Sequence, residues 1–257
     1  MMDALITAGG IPKPGEPMYP LTQGRSKVLL PVAGKCMAQW VLDALGASTR
    51  VRRAVVVGLE GGLQYPRELV YLPDQGSLLD NMLAGARKIL ELDPQAQYLL
   101  LLSADVPAVT AAQIDWVIGQ ALATQDDVYY CVIERRLMEG RFPGCRRTFY
   151  RFRDEQVCGG DMAVVSTRVF SMDTGIWQRL TEARKSPLKT AATIGFGLLF
   201  LFLIGRLTID ETVRRAGLRL KVRGRAIHCP FPEVGMDVDK PFQLELVEEY
   251  LRRQAAG

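Results

Sequence analysis

The run Ala4-Leu5-Ile6-Thr7-Ala8-Gly9-Gly10, taken up again at Gly24-Arg25-Ser26-Lys27-Val28-Leu29-Leu30-Pro31-Val32-Ala33-Gly34-Lys35, decides how this chain is read. A short apolar run that breaks into Ala-Gly-Gly predicts a buried strand entering a loop of bare backbone. Glycines there remove the side chains that would keep a phosphate from the backbone N–H groups. Lys27 then supplies a point charge suited to a triphosphate. From Met37 to Ala47 apolar residues recur at helical spacing. Strand, glycine turn, basic residue and helix together predict a cradle for nucleotide phosphates. Neither Gly-x4-Gly-Lys-Ser/Thr nor Gly-x-Gly-x-x-Gly spacing occurs here, so the cradle is of another type.

Two further segments carry chemistry. Tyr98-Leu-Leu-Leu-Leu-Ser-Ala-Asp105-Val-Pro107 holds four consecutive leucines, the pattern of a strand buried on both faces. Asp105 follows directly, where open α/β sheets bind their ligands, at the carboxyl end of a strand. Pro107 stops the strand, and Thr110 caps a helix expected over 111–123. Near the end of the chain, Gly235-Met-Asp237-Val-Asp239-Lys240-Pro241 leads into an amphipathic helix with Pro241 in its first turn. Asp237 and Asp239, two apart in an extended segment, are expected to point to one side.

The segments between complete an alternation of strands and helices. Strands are expected at 53–58, 68–71, 127–133 and 162–165. Asp74, Gly76 and Ser77 precede a helix whose apolar positions run from Leu78 to Ile89, and such a polar entry suits the rim of a nucleotide pocket. From 134 to 160 the periodicity changes. Within it, residues 142–152 read as an extended, edge-like segment in which basic and aromatic residues alternate, Arg147 among them. Cys158-Gly159-Gly160-Asp161 follows, as a turn that lets backbone approach a ligand or as a bulge. A helical insertion is expected over 177–216, with Thr208 and Glu211 forming a capping box. Residues 218–223 alternate and predict a strand returning through His228, for which no partner can be assigned and a structural role is expected.

At the opening cradle, at Asp105 and at Asp239 the chain resembles the nucleotidyltransferases with a glycosyltransferase-A-like fold. Molybdenum-cofactor guanylyltransferase and the sugar-phosphate and methylerythritol-phosphate nucleotidylyltransferases belong to that group. Their signature runs Leu-x-Ala-Gly-Gly, a glycine/arginine loop, Pro-Lys, then Leu-x-Pro-Val-x-Gly-Lys-Pro. Here the loop between Gly10 and Lys27 is longer, Ser26 stands before the lysine, and Cys36 follows Gly34-Lys35. The resemblance implies a Rossmann-like three-layer αβα sandwich with a mostly parallel central sheet, formed by residues 1–257 as a single domain. Residues 1–133 would bind the NTP, and residues 134–257 would bind the acceptor and carry the second metal element. It implies an enzyme that transfers NMP from an NTP to a phosphorylated or hydroxylated small molecule and releases pyrophosphate. Mg²⁺ would be held by Asp105 and Asp239, with Asp237 as a weaker third candidate. Ala8, Gly9, Gly10, Arg25, Lys27, Asp74, Gly76 and Ser77 would bind the nucleotide, and Arg147, Gly159, Gly160 and Asp161 the acceptor. Lys27, Asp105 and Asp239 would be catalytic. A glycosyltransferase of the same fold, or a nucleotide-binding module without turnover, are the alternatives. The triphosphate-type cradle speaks against the first.

Composition sets the remaining bounds. Of 257 residues, 48% are hydrophobic and 23% charged, which is ordinary for a globular protein with a sizeable core. A net charge of +4, spread along the chain, argues against a nucleic-acid partner. Five scattered cysteines and one histidine provide no Cys/His zinc set and predict free thiols in a reducing cytoplasm. No signal peptide is read at the N-terminus. The 16 uncharged residues 190–205 are too few for a membrane span of about 20. They are apolar all round, however, and predict a buried helix that meets a second copy of the chain in a homodimer, or touches a membrane peripherally.

Overall fold

In the computed structural model residues 1–172 and 206–256 are described. The opening apolar run forms β1 (Met2–Thr7), and the next paired segments are β2 (Pro31–Val32), β3 (Lys35–Cys36), β4 (Val51–Val57) and β5 (Glu68–Leu72). The leucine run forms β6 (Tyr98–Ser103), followed by β7 (Val128–Glu134), β8 (Tyr150–Arg151), β9 (Gln156–Ser166) and β10 (Gly224–His228). The main sheet has the order β10-β7-β9-β6-β1-β4-β5, and β8 pairs with the start of β9. β1 lies parallel to β4 and β6, β4 to β5, and β7 to β10, while β9 runs antiparallel between β6 and β7. The sheet is therefore mostly parallel, with one reversed strand inserted where the second half of the chain joins the first.

Both faces of the sheet carry helices, as the apolar strands require. In β1, Ala4 and Ile6 enter one core while Leu5 enters the other. The first core lies under α2 (Met37–Ala47) and α4 (Ala111–Leu122), with Val247 and Leu251 of α7 (Pro241–Ala256) at its margin. The second lies under α3 (Leu78–Leu92). On the same side, α6 (Ile209–Leu220) packs Ile209 and Val213 against Val132 and Val157. Among the described residues two short α-helices are added to these, α1 (Tyr19–Thr22) and α5 (Arg135–Arg141). Residues 190–205, and with them the dimer read from that stretch, lie outside the described residues. Among the described residues no helix is long and apolar enough to cross a membrane.

Several local expectations are corrected. Ahead of the extended segment the chain makes α5, which the sequence does not announce, and of residues 142–152 only Tyr150–Arg151 pair as a strand, β8. The Cys158–Asp161 segment is no turn: it lies inside the eleven-residue β9, at a register shift against β7 between Tyr130 and Val132. The bulge reading holds, and Gly159 and Gly160 serve close packing. A Cβ on Gly159 would lie 2.3 Å from the Tyr130 hydroxyl oxygen. The alternation at 218–223 is not a strand, because α6 runs on to Leu220 and ends at Lys221 in the left-handed region. Its capping box of Thr208 and Glu211 forms as expected. His228 does have a partner, Glu155, at 3.3 Å from its Nδ1.

Candidate active site

The chain leaves β1 for β4 and β5 on one side and returns through β6 on the other. The carboxyl ends of β1 and β6 thus flank a switch point, where a crevice opens. A cleft of about 350 Å³ lies there, lined by Thr7, Ala8, Gly9, Gly10, Lys27, Asp74, Gly76, Ser77, Asn81, Ser103 and Asp105 among others. Seven of the eight expected nucleotide residues meet in this one space. The eighth, Arg25, is exposed and donates from Nε to the Thr22 carbonyl at 3.4 Å. Ala8 lines the cleft, but its N–H already donates to the Val57 carbonyl at 2.8 Å. The amides of Gly9 and Gly10 are the backbone donors in question.

The long loop does not displace Lys27. Its backbone N–H donates to the Gly10 carbonyl at 3.1 Å, and the Ser26 hydroxyl donates to the Ala8 carbonyl at 3.1 Å. Ser26, which stands where the resembled signature has proline, thereby fastens the lysine to the glycine loop. After Lys27 the chain makes the β2–β3 hairpin around Ala33 and Gly34, both at positive φ, as a two-residue turn requires, and enters α2.

The Lys27 ammonium is held by carboxylates from two distant segments. Asp105 Oδ2 lies 2.7 Å away, Asp239 Oδ1 also pairs with it, and Nζ donates to the Val238 carbonyl at 3.2 Å. Burial works against the lysine's charge, but Asp105 and Asp239 outweigh it and its pKa is raised. Asp105 is fixed by the Ser103 hydroxyl, and its own carbonyl accepts the Val238 N–H at 3.1 Å. Asp239 is placed by α7, where the Gln243 side chain accepts its N–H at 3.0 Å.

A second cationic node adjoins the first. Arg147 donates to the Gly159 carbonyl at 3.0 Å, lies 3.5 Å from Asp161 Oδ2 and pairs with Asp237. The four expected acceptor residues are thus together. The two aspartates of the last segment do not share a partner: Asp239 turns to Lys27, and Asp237 turns to Arg147. Asp237 Oδ1, Asp161 Oδ2 and Arg147 Nε are buried atoms without a hydrogen bond, although the charges are paired. Burial first, and then the nearby Asp105 charge, raise the Asp161 pKa to about 7.

That shift has a sign in stability. The Asp161 carboxyl prefers its proton more in the folded chain than in the unfolded one, where an ordinary value near 3.9 applies. Its contribution to stability is therefore full below pH of about 4 and is lost as the pH rises through about 7. Asp105, Asp239, Lys27 and Arg147 are the charges that face it. In metal-free protein, Asp161→Asn is expected to match the parent's melting temperature at the acid end and exceed it by several degrees at pH of about 8. A difference that stays constant across the range, measured by differential scanning calorimetry, would refute this.

Sequence reasoning assigned no site role to five residues of the cleft, Thr7, Val28, Leu78, Asn81 and Ser103, and the last two hold other residues of the site in place. Asn81 is buried on α3, donating to Asp74 Oδ1 at 2.7 Å and accepting the Gln75 N–H at 2.7 Å, so it sets the loop of the expected base rim. Its signal was a polar residue inside an apolar helical spacing. Ser103 ended a leucine strand and had no signal of its own.

As a metal centre the site is incomplete by itself. Among the described residues no three His, Cys, Asp or Glu side chains form a ready cage. Two carboxylates converging on one cation, here Lys27, fit Mg²⁺, which takes one or two carboxylates and completes its shell with phosphates and water. They do not fit a structural zinc site.

The model of the MobA-like NTP transferase domain matches residues 4–187. Among solved structures, a hypothetical transferase from Thermus thermophilus is 31% identical, with a TM-score of 0.83, over 95% of this chain and all of that one. CMP:2-keto-3-deoxy-manno-octonic acid synthetase complexed with CTP is 13% identical at a TM-score of 0.55, over 99% of this chain and 100% of that one. The 4-diphosphocytidyl-2C-methyl-D-erythritol synthase of Anaerococcus prevotii is 11% identical at 0.58, over 98% and 96%. These last two likenesses are of fold alone. No curated protein matches the chain.

Proposed function

The chain belongs to the MobA-like NTP transferase family, and from that premise we propose that it transfers the NMP group of an NTP to a hydroxylated or phosphorylated small molecule, with release of pyrophosphate and dependence on Mg²⁺. One observation carries the reading. The glycine loop, Lys27, Asp105 and Asp239 meet at the switch point of the sheet, from three parts of the chain.

The reaction needs positioning and charge neutralisation more than covalent help. An acceptor oxygen attacks the α-phosphorus in line, a new P–O bond forms, and the bond to the β-phosphate oxygen breaks with its electrons leaving on pyrophosphate. The Gly9 and Gly10 amides and the Lys27 ammonium hold the β- and γ-phosphates. Asp105 and Asp239 would hold Mg²⁺, which supplies neutralisation of the charge that builds on the phosphate oxygens. With the two carboxylates so engaged, the Lys27 ammonium would pair with the phosphate tail in their place. Arg147 and Asp161 face the acceptor. The rim formed by Asp74, Gly76, Ser77 and Asn81 lies next to the base.

The test is calorimetry with each NTP and its NMP. Lys27→Ala is expected to weaken the bound NTP by about a hundredfold, the loss of one charge-assisted contact of about 3 kcal/mol, while the NMP loses less than about threefold. Equal losses for both nucleotides would place Lys27 away from the phosphate tail. Pyrophosphate release across the four NTPs, with and without Mg²⁺, tests the transfer itself.

A further inference from the structure

On the α3 side of the sheet the described helices leave a gap. α3 packs on β1 and β4 and α6 on β10, and among the described residues the short 3-10 turn Thr167–Ser171 packs between α3 and β9 at the side of the gap over β6 and β9. The gap is a second pocket of about 300 Å³, within the range of small-ligand sites. Its depth is formed by Met82 and Leu83 of α3, Leu101 of β6, Ala163 and Val165 of β9, and Phe170 beyond β9. Leu101 and Ala163 are register partners in the β6–β9 ladder, so the pocket runs down the sheet from its carboxyl edge. At that edge stand Thr7, Ser103 and Asp161, and Thr7, Leu78 and Ser103 also line the nucleotide cleft. The two spaces share a wall at the place where the acceptor must meet the α-phosphorus.

The lining divides sharply along this axis. Among the described residues that line it, Asp161 is the only charged one and lies at the mouth beside Arg147, while Tyr130, the register partner of Ala163, adds one hydroxyl. The described depth otherwise offers hydrocarbon. A sugar or polyol driven into it would leave hydroxyl groups without partners, at a cost of the order of kilocalories for each.

Resting on the nucleotidyl-transfer reading above, we propose that this pocket takes the apolar portion of the acceptor. The acceptor is then an amphiphile. Its reacting oxygen stays at the Thr7–Ser103–Asp161 end, and its hydrocarbon portion lies along the sheet between β6 and β9.

Straight-chain alkan-1-ols from butanol to hexanol, titrated by NMR into the full-length protein with and without NTP and Mg²⁺, test this. Affinity is expected to rise about fourfold for each added methylene, the equivalent of burying one CH₂. Alcohol and NTP are expected to bind together. Met82→Trp, which fills the pocket from α3, should lower hexanol affinity at least about tenfold and flatten the chain-length series, with NTP affinity unchanged in calorimetry. Phe170→Ala should weaken hexanol through loss of contact while keeping the NTP, and it serves if the filled variant fails to fold. Three results would each overturn the proposal: no rise with chain length, a rise that survives both substitutions, or hexanol that competes with NTP. Failure of NTP binding by the parent protein would instead remove the transferase reading, and the alcohol series would still report on the pocket.

Discussion

Asp105→Asn and Asp239→Asn are each expected to lower pyrophosphate release by about a thousandfold, the upper range for losing one charge-stabilising group in a transition state. Both carboxylates reach the same ammonium from chain segments more than a hundred residues apart, Asp105 just past β6 and Asp239 just before α7. Asparagine keeps the shape and can still accept from Ser103 or pair with Lys27, so the change removes charge and little else. The two variants should differ in stability. The Asp105 side chain is 11% exposed and that of Asp239 is 58% exposed. Removing the buried charge leaves Lys27 with a solvated partner only, so the measurable loss in urea unfolding falls on Asp105→Asn. Turnover within tenfold of the parent in both variants would take these residues out of the chemistry.

The second large effect is on the scaffold under the glycine loop. Gly58, at the end of β4, has φ of +103°, and a Cβ built on it would lie 2.4 Å from both the N and Cα of Gly9. The obstacle is backbone, which cannot turn aside as a side chain can. Gly58→Ala combines left-handed strain with overpacking, each about 1–3 kcal/mol, for an expected loss of roughly 3 kcal/mol or more. Any relief must move Gly9, so nucleotide affinity should fall with stability. Gly140 in α5, with no atom within 4 Å of its Cβ position, is the control: Gly140→Ala should stabilise by about 0.5–1 kcal/mol. Urea unfolding of the pair decides it, and a Gly58→Ala midpoint equal to the parent's would sink the argument.

Much of this site could be read from the chain because local signals and tertiary demands agree there. Ala-Gly-Gly after an apolar run, four leucines before Asp105, and proline opening the last helix each state a backbone preference that the fold then uses. The span of α2 (Met37–Ala47) follows from apolar spacing alone. Where reading failed, distant partners overrode local preference. Cys158-Gly159-Gly160-Asp161 has the composition of a turn, yet pairing of Cys158 and Gly159 with β7 holds it in a strand. Residues 218–220 alternate like a strand and are helical, because the Thr208 cap starts α6 early enough to run through them. The separate partners of Asp237 and Asp239 depend on where Arg147 and Lys27 lie in space, and nothing in the local sequence states that. Asn81 belongs to the same class, since its buried role exists only once Asp74 and Gln75 fold over it.

The closure of the loop between Gly10 and Lys27 bears on how such a chain can change over time. Its two ends are already joined, by the Lys27 N–H to the Gly10 carbonyl and by the Ser26 hydroxyl to the Ala8 carbonyl. Closing a longer loop between fixed ends adds only about 0.6 kcal/mol for each doubling of its length. Apart from the buried ones, Met18 and Thr22 among them, the residues in between are thus separable from the site. They can lengthen, shorten or acquire new recognition surface, such as the α1 turn they carry here, while Lys27 stays where it is.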